Sequence, residues 1–294
     1  MSSPDTWIFW SRFGLDNAAL LLWGSALFIV TLVPVELRAS LWQRSRHMRR
    51  ACALIIAASV AASLPAHAAS LGGDWRDATD MGTLLAVANE TTIGTAWWCQ
   101  LAATILLGLS WRTPERIAIG ASAGISAALL GSFVVTGHAA MHDGATRVWH
   151  RLNDLLHLVS AGAWFGALPI VCFLMQDVRE PLSRASAKRA LLRFSSAGHI
   201  AVALTLISGA VNTGLIVGDF PFDWTFRYQT LLTLKSLLVI VMVVVAIVNR
   251  YVLVPHMSDW PQARRMFYWG TVFEIGLSVA VIGLVAYFGM LEPN

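Results

Sequence analysis

The chain has 294 residues, of which 56% are hydrophobic and 13% charged, and its mean hydropathy is +0.63. Soluble proteins carry about a quarter charged residues, so this composition argues against a soluble domain and indicates a lipid environment. The formal net charge of +4 comes from basic residues that are confined to a few loops. This placement fits membrane topology better than a nucleic-acid surface.

Eight apolar stretches are long enough to cross a bilayer, which takes about 20 residues per helix. They lie near 16–36, 50–67, 94–111, 117–137, 152–175, 195–217, 230–252 and 268–289. Fifteen of the 21 Lys and Arg residues lie in or beside the connections 1–2, 3–4, 5–6 and 7–8. Because basic loops stay in the cytoplasm, we expect both termini to be periplasmic. The sequence predicts an all-α polytopic membrane helix bundle of about eight transmembrane helices, forming a single integral membrane domain over residues 1–294.

Potential metal ligands follow the fourth span. The run H-A-A-M-H places His138 and His142 four residues apart, with Met141 between them. On a helix such residues share a face, and imidazole and thioether groups are suitable ligands for copper. We predict a metal site here, against the simpler interpretation of a polar helix end.

Three further histidines are expected to face the same outward compartment. His67 ends the second span, and His150 lies in the connection before the fifth. His157 lies about 8 Å below the start of the fifth span, at a rise of 1.5 Å per residue. One turn before it, Asp154 is placed to accept the second ring N–H of a metal-bound imidazole.

Polar groups inside the spans mark two further positions. Asn212 and Lys235 share the outer depth, and Lys235 is expected to pair with Asp154, to balance charge or to repel a cation. Glu274 is expected about two turns into the eighth span from the inner side. Ionisable groups within a membrane are costly and usually mark a pathway or site, so we predict that Glu274 relays protons or passes a cation onward. The alternative is a structural pair of Glu274 with Arg250 or His199.

Short motifs follow one another along the second half of the chain. They are Thr136-Gly137-His138-Ala139; Asp154, His157, Trp164, Gly166 and Leu168 in the pattern D-x-x-H…W-x-G-x-L; Arg193-Phe194-Ser195; Ser208-Gly209 with Asn212; Tyr228 with Lys235; and Asn249-Arg250 with Pro255. In this order they resemble the copper-resistance protein D (CopD) family of bacterial membrane proteins, over about residues 130–290. Ser208-Gly209 and Tyr228-Gln229 stand where the family pattern has T-G and Y-G. We expect these departures to affect helix packing and a turn more than ligands.

The resemblance implies a bacterial inner-membrane protein that works with a periplasmic copper-binding protein of the CopC type. It implies copper import toward the cytoplasm and a role in copper resistance or homeostasis, with His138 and His157 as ligands; the other four candidates rest on local chemistry. The sequence has no G-x-x-x-x-G-K-[ST] motif, so transport is expected to draw on a gradient or a partner rather than on ATP. We expect no enzymatic activity and no nucleic-acid partner, and an oligomer is compatible with the composition.

Two other functions fit the same histidines. One is a membrane redox protein with b-type haem, for which His67, His138, His157 and His199 are candidate axial ligands. The other is a sensor or scaffold that binds copper without moving it.

Overall fold

The structure, a computed structural model, describes residues 3–136, 143–178, 180–218, 223–256 and 260–291. Over these residues it contains helices and turns but no strands. Eight helices in the described ranges are long and apolar enough to cross a membrane. The prediction of an all-α polytopic bundle with about eight transmembrane helices is therefore confirmed.

The described residues form eight long helices and three short ones. In chain order they are α1 (Pro4–Thr31), α2 (Val35–Arg44), α3 (Arg46–Gly72), α4 (Met81–Glu90), α5 (Thr92–Ser110), α6 (Glu115–Phe133), α7 (Gly144–Asp177), α8 (Arg184–Val217), α9 (Arg227–Val248), α10 (Val254–His256) and α11 (Pro261–Phe288). A π-helical segment, Asn249–Leu253, joins α9 to α10. The short helices α2 and α4 lie in connections, and the candidate spans are α1, α3, α5, α6, α7, α8, α11 and the unit formed by α9, the π segment and α10.

Several helices are longer than their apolar stretches, and this changes where candidate residues lie. Helix α7 begins at Gly144, so His150 lies inside a helix and is fully buried, not in an external connection as predicted. Helix α11 begins at Pro261, which puts Glu274 about 20 Å from its start, deeper than the predicted two turns. Hydropathy detects the apolar part of a helix, whereas backbone hydrogen bonding continues into its polar ends.

Helix α1 lies at the centre of the bundle and packs against α3, α6, α7 and α11. Its crossing with α7 is very close: a Cβ atom on Gly24 would lie 2.0 Å from the carbonyl oxygen of Gly162, and one on Gly166 would meet an α1 carbonyl at 2.4 Å. Gly162 and Gly166 have the G-x-x-x-G spacing that lets membrane helices touch along their backbones. Trp23 adds an indole N–H bond of 2.9 Å to the carbonyl of Val159. The α1–α7 pair therefore anchors the helix that carries Asp154 and His157.

One end of the bundle carries the Arg-rich connections, and we call it the basic end. There the Arg49 guanidinium lies 3.3 Å from the Trp42 ring centroid and donates to the Trp42 carbonyl. Arg44 of α2 pairs with Asp177 at the end of α7. These contacts hold α2 against the bundle. We call the other end the opposite end. The start of α1 and the end of α11 lie there, and the periplasmic location of the termini stays a prediction.

Candidate functional site

A cavity of about 360 Å³ lies at the opposite end of the bundle and is lined by residues from all eight candidate spans. We call it the polar cavity. Its polar and ionisable lining includes Arg12, Asp16, His67, Gln100, Thr136, Asp154, His157, Asn212, Tyr228 and Lys235.

Five residues singled out from the sequence come together in this cavity. They are His67, Asp154, His157, Asn212 and Lys235, and they come from four different helices. The common depth predicted for them is therefore matched by a common cavity.

The H-A-A-M-H candidates lie outside the described residues. His138, Met141 and His142 follow Thr136, which is the last described residue before them and lines the polar cavity. Within the described ranges, no three His, Cys, Asp or Glu side chains form a group able to hold a metal ion. The predicted ligand set stays a prediction.

The side chain of His157 has a defined tautomer because of its contacts with α8. Its Nδ1 lies 3.1 Å from the Thr205 carbonyl oxygen and 3.0 Å from Ser208 Oγ. A carbonyl oxygen only accepts, so Nδ1 carries the proton of the neutral ring and Nε2 keeps the lone pair. The Ser208 hydroxyl donates to Leu204 and therefore accepts from His157. A Cβ atom on Gly209 would lie 3.2 Å from His157 Cε1, so the Ser208-Gly209 pair acts on a candidate ligand, contrary to the expectation that it affects mainly packing.

Asp154 is oriented by asparagine side chains. Asn212 Nδ2 donates to Asp154 Oδ1 at 2.6 Å, and the Asn153 amide donates in turn to Asn212 Oδ1. His150 Nε2 lies 3.8 Å from Asp154 Oδ2. The ring proton of His157 therefore goes to α8 rather than to Asp154, the acceptor considered from the sequence.

His67 shows the same tautomer as His157. Its Nδ1 lies 2.7 Å from the carbonyl oxygen of Ser63, one turn earlier in α3. The proton is again on Nδ1, so Nε2 is the nitrogen available to a metal. Two imidazoles that line one cavity thus each keep a lone pair for a ligand.

Formal charges cancel among the described residues of the polar cavity. Arg12 and Lys235 are balanced by Asp16 and Asp154. Arg12 Nε lies 3.8 Å from Asp16 Oδ2, whereas Lys235 has no carboxylate within 4.0 Å in the described ranges and lies 5.9 Å from the Phe288 ring centroid. Sequence reasoning missed Arg12 and Asp16 as site residues. Their ionisable side chains at the start of an apolar helix were the available signal.

A second cavity, of about 290 Å³, lies toward the basic end and contains Glu274; we call it the glutamate cavity. Glu274 is 3% exposed, and its Oε2 accepts a hydrogen bond of 2.9 Å from Asn249 Nδ2. His199 Nε2 instead lies 3.0 Å from the Tyr251 hydroxyl. In the described ranges neither His199 nor Arg250 lies within 4.0 Å of the carboxylate, so the alternative interpretation, a structural pair with one of them, is wrong.

A third cavity, also of about 290 Å³ and mainly apolar, lies between the other two. It shares His157, Gly209 and Lys235 with the polar cavity, and it shares Trp164 and Leu206 with the glutamate cavity. We call it the apolar cavity. The three cavities therefore follow one another along α7, α8, α9 and α11.

A bundle of eight candidate spans around a line of internal cavities defines a polytopic membrane protein with an interior suited to small ligands. Two family models match the sequence: copper resistance protein D-like, N-terminal domain, over residues 3–148, and copper resistance protein D, over residues 188–288. The chain belongs to the copper resistance protein D family. The N-terminal match extends the similarity beyond the 130–290 range indicated by the motifs.

Two of the relatives cover nearly the whole chain. It is 34% identical to the inner membrane protein YebZ of Escherichia coli (strain K12), over 98% of each chain. It is 32% identical to copper resistance protein D of Pseudomonas syringae pv. tomato, over 96% of each. Copper transport protein CutJ of Bacillus subtilis (strain 168) is 29% identical over 62% of this chain and 34% of its own length. No solved structure matches. With its eight candidate spans, the chain is a multi-pass inner-membrane protein.

Proposed function

We propose that this protein binds copper in the polar cavity and passes it along the three cavities toward the basic end, which we take to be cytoplasmic. The observation that carries the proposal is the fixed tautomer of His157, which leaves Nε2 free of its proton in a cavity that crosses into the bundle interior. Relatives named for copper resistance and copper transport support copper as the cargo.

The proposed ligands combine described and undescribed residues. They are His67, His138, Met141, His142, His150 and His157. Since the described ranges alone hold no group of three ligands, we infer that the H-A-A-M-H stretch completes the set. The Asp154 carboxylate, held by Asn212, places a negative charge beside these ligands. Lys235, which lines both the polar and the apolar cavity, balances that negative charge.

Charge and ligand type favour Cu(I) as the bound ion. The formal charges of the described lining residues cancel, and the proposed His and Met ligands are neutral. A site without net negative charge holds a monovalent ion at a smaller electrostatic cost than a divalent one. Thioether ligands also select Cu(I).

We further propose that a periplasmic copper-binding protein of the CopC type delivers copper to the opposite end. The ion would then move through the apolar cavity toward Glu274, in the service of copper resistance or homeostasis. No catalytic role is proposed for any residue.

Copper titration of the purified protein tests the binding site. His157→Ala is expected to lower Cu(I) affinity at least tenfold, because it removes a direct ligand. His256→Ala is the matched control, since this exposed histidine lies at the basic end and its Nδ1 contacts the carbonyl of Val252. Equal affinity in the wild type and the His157→Ala variant would remove the polar cavity from copper binding.

Flux and absorption measurements separate the competing functions. Copper uptake into proteoliposomes that is absent from a His138→Ala, His157→Ala double variant supports transport over a sensor or scaffold, and equal flux refutes the proposed ligands. A strong Soret band in the purified protein would support haem b instead. Both matching families and two of the relatives reported above are named for copper, and His199 lines a different cavity from His67 and His157.

A further inference from the structure

Glu274 is a carboxylic acid held in the interior of the bundle. It lies 13 residues after the first residue of α11 and 14 before the last. One oxygen, Oε2, accepts from Asn249, while Oε1 is buried and has no hydrogen-bond partner within the described part of the chain. Glu274 lines the glutamate cavity, whereas the described candidate ligands His67 and His157 line the polar cavity. The carboxylate is therefore separate from the proposed copper site.

The local backbone is arranged to bring Asn249 to this carboxylate. The π-helical segment Asn249–Leu253 interrupts the helix at the residue that donates the hydrogen bond; π segments of this kind are frequent at functional sites. Gly270, one turn before Glu274, lets the amide approach, since a Cβ atom there would lie 2.7 Å from Asn249 Oδ1. The side-chain oxygen of Asn249 therefore lies beside Gly270, and its side-chain N–H group donates to Glu274.

No basic group neutralises the carboxylate within the described ranges. The ionisable side chains that face it are Cys172 from α7, His199 from α8, and Arg250 and Tyr251 from the π segment. His199 and Tyr251 contact each other, and the Arg250 guanidinium lies 6.0 Å from the Tyr251 ring centroid. The ionisable residues of α1 all lie in its first half, toward the polar cavity. An ionised Glu274 would thus be a buried charge without a partner, which is strongly unfavourable within a membrane.

We propose that Glu274 is a proton-exchange site. In the resting protein Oε1 carries a proton, which makes the buried group a neutral acid, while Oε2 accepts a hydrogen bond from Asn249. When a monovalent metal cation enters the glutamate cavity, the O–H bond breaks and the proton leaves to water at the basic end. The carboxylate then balances the charge of the cation. After the cation departs, Oε1 takes up a proton from water on the side of the polar cavity, so each cation delivers one proton to the basic end. No oxidation or reduction is involved, and the proposal rests on the proposed function only for the identity of the cargo.

Infrared spectroscopy tests the protonation state without any metal. We expect the wild type at neutral pH to show the carbonyl band of a protonated carboxylic acid, and Glu274→Gln to lack it. Asn249→Ala should shift that band, because it removes the donor to Oε2. Ser278→Ala is the control: Ser278 lies one turn away, and its hydroxyl donates to the backbone carbonyl of Glu274 rather than to the carboxyl group. A band that is missing from the wild type, or unchanged in Glu274→Gln, overturns the proposal.

Proton release tests the exchange with Ag(I) as a redox-inert probe. In proteoliposomes with a pH-sensitive dye inside, wild-type uptake should release a proton for each metal ion, whereas Glu274→Gln should release none and yet retain Ag(I) binding at the polar cavity. Gly270→Ala keeps the carboxylate but displaces Asn249 and should give an intermediate, pH-shifted response. Equal proton release in the wild type and Glu274→Gln contradicts the proposal.

The two sets of measurements distinguish a failure of the proposed function from a failure of the proton-exchange site. If Ag(I) binding does not respond to His157→Ala, the proposed function fails while the infrared assignment stands. If binding responds to His157→Ala but the acid band is absent, only the proton-exchange site fails. Should Glu274→Gln not fold, the Asn249→Ala band shift in the folded variant decides the assignment: an unshifted band refutes it.

Discussion

Replacing Ser208 by alanine tests the positioning of His157 without touching a proposed ligand. In the structure the Nδ1–H of His157 is shared between the Thr205 carbonyl at 3.1 Å and the Ser208 hydroxyl at 3.0 Å. Binding of a metal at Nε2 makes the Nδ1–H a stronger donor, so its hydrogen bond to Ser208 is strengthened in the bound state. Ser208→Ala should therefore weaken metal binding as well as the fold.

The magnitude follows from one hydrogen bond. The bond is already present without metal, so only its strengthening counts: about 1 kcal/mol, the difference between a neutral hydrogen bond and one to a charged group, which corresponds to about a fivefold loss of affinity. Thr205 still accepts from Nδ1 in the variant, so the tautomer is kept and the loss should stay well below the roughly 100-fold upper limit for removal of a ligand's hydrogen-bond partner. Gly209→Ala should cost more than Ser208→Ala, because its Cβ atom would lie 3.2 Å from His157 Cε1 and press on the ring.

The assay is competition between the detergent-solubilised protein and a chromophoric Cu(I) chelator. Ser25→Ala is the matched control, because this buried serine of α1 bonds to its own helix at Leu22 and lines none of the polar, apolar and glutamate cavities. If Ser208→Ala binds Cu(I) as tightly as the wild type while His157→Ala binds weakly, the tautomer argument is refuted. A loss as large as that of His157→Ala would also contradict it, since it would mean that the serine itself is a ligand.

Three further predictions concern stability. Gly24→Ala should destabilise the bundle by at least about 1–3 kcal/mol through overpacking. Its melting temperature should be lower than that of the control Gly108→Ala, whose Cβ atom would meet nothing within 4 Å. Equal melting temperatures would show that α1 and α7 can move apart without cost. Asn212→Leu should cost about 1–3 kcal/mol, because Asp154 loses its donor, and an unchanged denaturation midpoint would contradict this. Hydrogen bonds from the Thr83 N–H and hydroxyl lower the pKa of Asp80, the N-cap of α4. The cap therefore stabilises α4 above the unfolded pKa and is lost as pH falls through the lowered folded pKa, so amide exchange at the start of α4 should accelerate there, but not in Asp80→Asn.

The number of spans could be predicted from the sequence because burying a polar side chain in lipid costs a large free energy. Each membrane-crossing segment therefore has to be apolar in its own sequence. Each predicted apolar stretch corresponds to one candidate span. The ends of the helices did not follow, since helix α7 starts at Gly144 in a polar stretch that hydropathy excludes. For the same reason, the sequence placed His150 outside the helix in which it is buried.

The polar cavity was predicted in part. A shared depth brought His67 and His157 into consideration together, and the structure places both in one cavity. Their neighbours were not predictable in this way, because the depth of a residue does not say which helix faces it. Arg12 and Asp16 thus stayed unnoticed on α1, and Ser208 was assigned to packing although it contacts His157.

The surroundings of Glu274 show most clearly where hydropathy stops being informative. The carboxylate itself was conspicuous, because a glutamate within an apolar stretch is unusual. Its partner depends on a local departure from α-helical geometry at Asn249 and on the missing side chain of Gly270. Hydropathy reveals neither feature, yet together they give Glu274 a single amide hydrogen bond in place of the ion pair that was the alternative interpretation. A charged partner such as Arg250 would have held Glu274 in its ionised form. The neutral amide of Asn249 instead allows the glutamate to gain or lose a proton. The proposed function of Glu274 therefore depends on which residue is its hydrogen-bond partner.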